Sequence, residues 1–225
     1  MEDTQVKRTL TICLALLVVA SITAVAADQR YTTTDDGRRI IANSASEVVV
    51  PAIRNDATLK TLFNNLSDYK YGTYFCCYAE VISGPNGMAG EPVWYGVPFT
   101  PNANVKLTKV EAGVGYSMGT NSVAIWLAAD ASGLPGSTLA GPVDVNNLPG
   151  FGTCCTLAVA KFKSVPLTKG TQYWIVLGTD SNSMDTTDVW NFNTTDMRNH
   201  SYALHNGSYW VAEDSLLGAI GIFGK

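Results

Sequence analysis

From about residue 74 onward the chain is a series of short alternating apolar and polar runs, each stopped by Gly, Pro or Asn. "SVAIWLAAD" (122–130) is the clearest of them. At the two-residue period of a strand, Val123, Ile125 and Leu127 share one face, while Ala124, Trp126 and Ala128 share the other. The branched set suits a core, which turns Trp126 outward or beneath a covering loop. "PVWYGVPF" (92–99) reads the same way, with Val93, Tyr95, Val97 and Phe99 inward and Trp94 outward. Similar runs at 74–82, 105–116, 137–145, 156–165, 171–179, 188–193, 201–205, 208–213 and 219–224 give ten or so strands. With no amphipathic helix in the pattern, the expected fold of 59–225 is all-β, an antiparallel two-sheet β-sandwich of jelly-roll-like form. "TLKTLFNNL" (58–66) fits a strand or one helical turn. Residues 27–58 lack sustained periodicity and read as a partly ordered N-terminal arm, with "EVVVPAI" (47–53) as a candidate strand.

The first 26 residues break this texture. Lys7-Arg8 precedes the apolar stretch 9–26, which ends in the small-x-small pattern Ala24-Val25-Ala26. The expectation is a signal peptide over 1–26, removed on export, with no membrane span afterwards. The protein is then secreted and extracellular, with surface association a further expectation. Removal takes two charges of each sign, so the net charge stays at −4. Mild acidity without a Lys/Arg cluster argues against nucleic acid or an anionic membrane as partner.

Export also decides how the cysteines are read. Cys13 leaves with the peptide, and the rest form two adjacent pairs, Cys76-Cys77 and Cys154-Cys155. Neither Cys-x-x-Cys redox spacing nor the Cys-x₂₋₄-Cys spacing of a zinc site is present. Two disulfides are expected in an oxidising compartment. Neighbouring Cα atoms lie about 3.8 Å apart across a trans peptide, short of the usual ~4.4–6.8 Å of a disulfide. A bridge between the pairs closes a loop of roughly 78 residues and stabilises by about 4.5 kcal/mol in the chain-entropy account. Bridging between pairs is therefore favoured, and strained vicinal rings are the alternative.

The polar chemistry is sparse. "GTDSNSMDTTDVWN" (178–191) places Asp180, Asn182, Asp185 and Asp188 in one stretch, oxygen-rich enough to suggest calcium but without EF-hand spacing; a turn held by Asx hydrogen bonds is the plainer reading. No other cofactor is suggested. His200 and His205 would project to opposite faces of one strand and read as hairpin surface. No pair of carboxylates has a spacing that marks a hydrolase, so an enzyme is not expected. Exposed tryptophans stack on the flat C–H faces of sugar rings, and Trp94, Trp126, Trp190 and Trp210 sit on runs rich in Asn, Asp and Thr. These four are the candidate ligand contacts.

Five stretches carry a resemblance: "PFTPNANVKLTKVEAGVGY", "NSVAIWLAADASGLPGSTL", "LTKGTQYWIVLG", "WNFNTT" and "NGSYWV". Together they resemble the bacterial secreted domain called choice-of-anchor R, over most of the chain after residue 65. The resemblance implies an extracellular β-sandwich of unestablished function and carries over no catalytic residue. The function expected is that of a secreted, non-catalytic sandwich binding glycan or another surface polymer. A self-associating structural matrix or cell-surface protein is the alternative.

Overall fold

The computed structural model describes residues 30–33, 39–42, 58–66, 74–75, 78–153, 156–195, 201–205 and 209–225. Among the described residues there are fifteen strands: β1 (Arg30–Thr33), β2 (Arg39–Ala42), β3 (Lys60–Asn64), β4 (Tyr78–Ser83), β5 (Trp94–Phe99), β6 (Val105–Ala112), β7 (Val114–Met118) and β8 (Ser122–Asp130). They continue with β9 (Pro135–Asn146), β10 (Ala158–Leu167), β11 (Tyr173–Gly178), β12 (Thr187–Asn191), β13 (Ser201–His205), β14 (Trp210–Asp214) and β15 (Ile220–Gly224). No helix occurs among the described residues. The all-β expectation holds, and 58–66 resolves as a strand.

The strands pair antiparallel in three sheets, where the sequence suggested two. Their orders are β1-β2-β4-β12-β7, β10-β6-β15-β3 and β14-β13-β5-β11-β8-β9. The third sheet arises where one apolar run divides. "VKLTKVEAGVGY" yields β6 and β7, which part at Gly113 and join different sheets. There the Gly113 N–H donates to the Ala219 carbonyl, while its own carbonyl accepts from the Asn191 N–H. The stretch 27–58, read as a partly ordered arm, contributes two strands: β1 pairs with β2 and β2 with β4. "EVVVPAI" lies outside the described residues, as do residues 1–26, Cys76, Cys77, Cys154, Cys155 and His200.

The alternation read from the sequence sets the core. Val93, Tyr95, Val97 and Phe99 of the β5 region and Val123, Ile125 and Leu127 of β8 are buried in one cluster. Leu107 and Val110 of β6, Ile175 and Leu177 of β11, Trp190 of β12 and Ile222 of β15 complete it from all three sheets. The opposite face of the six-stranded sheet holds a smaller cluster, in which Ala128, Trp174 and Val176 are buried beneath Trp94, Trp126, Leu134 and Trp210. An outer sheet face is normally polar, so an aromatic layer on it marks the place to look for a site.

Candidate functional site

Antiparallel register builds this outer face one rung at a time. His205 of β13 lies opposite Trp210 of β14 on one side and Trp94 of β5 on the other. Gly178 of β11 lies opposite Ala124 of β8, and Ala124 opposite Asp144 of β9. Partners in a rung project to the same side. Large aromatic residues therefore stand at one end of the sheet, two small residues form a floor, and a carboxylate closes the far end.

The small floor lets the indoles lean inward. A Cβ on Gly178 would come within 2.6 Å of the Trp94 ring and 2.8 Å of Trp126. Trp94 and Trp126 meet edge to face, their centroids 5.4 Å apart at 88°. The His205 ring packs against Trp94 at 4.5 Å and stacks on Trp210 at 5.1 Å and 27°. Trp94 Nε1–H donates to Thr179 Oγ1 (3.2 Å), fixing that ring over the end of β11. On the β9 side the register shifts between the partners of Ile125 and Leu127, and Gly141 there has φ +93°, packed against Trp126. That bulge brings Pro142 to the rim.

The result is a cavity of about 290 Å³ between Trp94, Trp126, Trp210 and His205, with Thr138, Thr179 and Asp180 supplying polar groups. All four aromatic rings are partly buried, leaving ring surface open to solvent. Asp180 accepts from the Asn182 N–H (2.8 Å), Asn182 Nδ2 (3.0 Å) and Ser183 Oγ (3.0 Å), an Asx turn that holds its carboxylate at the rim. Partial desolvation, followed by the charge of Asp180, raises the Asp144 carboxyl from its ordinary value, although the residue as a whole is exposed. Burial pushes the His205 imidazole below its ordinary value, which keeps it neutral near pH 7.

Three of the four tryptophans singled out from the sequence thus meet in one pocket. The fourth does not. Trp190 is 2% exposed in the main core, its indole N–H donating to the Ala219 carbonyl at 2.9 Å, so its candidacy as a ligand contact is withdrawn. The three carboxylates weighed for calcium also separate. Asp180 caps its turn, Asp185 accepts from Thr120 Oγ1 (2.7 Å), and Asp188 is fully buried on β12. Among the described residues no cluster of three or more His, Cys, Asp or Glu is arranged to hold a metal ion. His205, read as hairpin surface, instead forms a pocket wall. Only the pairing of β13 with β5 and β14 reveals this.

No family model, curated protein or solved structure matches the chain.

Proposed function

We propose that this protein is a secreted, non-catalytic binding module that holds one ring of a glycan, or of another surface polymer, between Trp94, Trp126 and Trp210. The observation that carries this reading is the convergence of three indoles on one cavity of about 290 Å³. Such a volume sits at the small end of ligand pockets and suits a single residue of a polymer. Indole faces take the C–H faces of a pyranose, while Thr138, Thr179 and Asp180 lie where hydroxyls need partners. Asp180 is already engaged by Asn182 and Ser183, which favours a positioning charge over a reactive base.

The framework supports the same reading. All three sheets contribute to one main core, which is compatible with a sandwich-like packing of sheets. Its resemblance to choice-of-anchor R domains accords with an extracellular role. A glycan array probed with the wild type and with Trp126→Ala tests the proposal. Binding by the wild type that Trp126→Ala loses supports it; no binding, or binding unchanged in the variant, removes it.

A further inference from the structure

The pocket's charge narrows the ligand class. Resting on the binding role proposed above, we infer that the ring held between Trp94, Trp126 and Trp210 is an amino sugar with a free ammonium group. Indole is the best aromatic acceptor of a cation over its face, and an array of such faces is how proteins hold organic ammonium groups. Trp94 and Trp126 stand at 88° and form a corner, and Trp210 and His205 form a second aromatic wall. His205, kept neutral by its burial, contributes a ring and no opposing charge near pH 7.

Carboxylates complete the arrangement. Asp180 lies on the rim, and Asp144 stands opposite Ala124 of the floor, close enough to Asp180 to feel its charge. No Lys or Arg belongs to the pocket's lining among the described residues. A neutral ligand leaves these two like charges uncompensated, whereas an ammonium group relieves them. An amino sugar and a quaternary ammonium compound share this chemistry. Thr138 and Thr179 favour the sugar, whose several hydroxyls and N–H groups can engage both, whereas a quaternary ammonium group has no N–H to offer.

Calorimetric titration with a glucosamine tetramer, its fully N-acetylated counterpart and choline tests the inference. The free-amine tetramer should bind about tenfold tighter than the acetylated one, and added salt should shrink that margin. Asp144→Asn, at an exposed position, should remove most of the preference for the free amine. Equal binding of both tetramers, each weakened by Trp126→Ala, would overturn the charge inference and leave the binding role standing. Tighter binding of choline than of the amine tetramer would overturn the assignment to a sugar. Failure of all three probes would overturn the inference together with the role beneath it.

Discussion

Gly178 lies directly beneath Trp94, so close that a single added carbon would come within 2.6 Å of the indole. The same carbon would meet Trp126 at 2.8 Å. Gly178→Ala should therefore displace both rings, at a stability cost of about 1–3 kcal/mol from overpacking. Near-ultraviolet circular dichroism should change in the tryptophan region, and glycan binding should fall at least as far as in Trp126→Ala. An unchanged spectrum with full binding would show that these rings do not depend on the floor.

Trp126 and Trp190 should separate binding from stability. Trp126 is partly open to solvent, and its removal should cost only about 1–2 kcal/mol of packing while abolishing ligand binding. Trp190 is held in the core by burial and by its hydrogen bond to Ala219. Trp190→Ala should cost about 3–5 kcal/mol, and whatever folded protein remains should still bind. Urea denaturation and calorimetry on both variants check the contrast.

Asp188 should make stability fall as the medium becomes more alkaline. Both its carboxylate oxygens are buried without a hydrogen-bond partner, and burial pushes its pKa up to about 8. Between the ordinary carboxylate value and that point the folded chain keeps a proton that the unfolded chain has released. Stability is therefore highest below about pH 4 on this account and declines by about 1.4 kcal/mol per pH unit until about pH 8. Asp130 works in the opposite sense. Its carboxyl is lowered chiefly by the hydrogen bond from Trp174, so its contribution is lost only at pH below the ordinary carboxylate value. Asp188→Asn should flatten the decline between pH 4 and 8 and raise the melting temperature at pH 8. A decline that persists unaltered in the variant would assign it to other groups.

The cysteine pairs should be joined to each other. The cysteines themselves lie outside the described residues, but their flanks meet: the Tyr74 hydroxyl donates to the Thr156 carbonyl at 3.0 Å. A non-reducing peptide map should recover Cys76 or Cys77 linked to Cys154 or Cys155. Reduction should then cost about 2–5 kcal/mol. Peptides with Cys76-Cys77 and Cys154-Cys155 closed as separate rings would contradict this pairing.

Local alternation made some of this legible in the sequence. Val123, Ile125 and Leu127 declared their face because β8 has one wall in the main core and a different partner on the other, and Trp126 followed by elimination. Trp190 misled for the converse reason. Every residue of β12 is buried, so the alternation that separates inside from outside carries no signal there. The division at Gly113 was hidden because a strand that changes sheets keeps an unbroken apolar pattern. The pocket itself depended on register between strands far apart in the chain, such as Gly178 opposite Ala124 and His205 opposite Trp94. No short-range pattern encodes those pairings. The sequence therefore supplied individual rings, while the fold supplied their company.

The most direct test of the binding site is a nuclear magnetic resonance titration that follows the indole N–H signals of the five tryptophans. Glucosamine and N-acetylglucosamine tetramers are the probes. Saturable shifts confined to Trp94, Trp126 and Trp210, with the buried Trp174 and Trp190 unmoved, are the predicted result. No shift with either tetramer, or shifts that leave Trp94 and Trp126 untouched, would contradict a glycan site in this pocket.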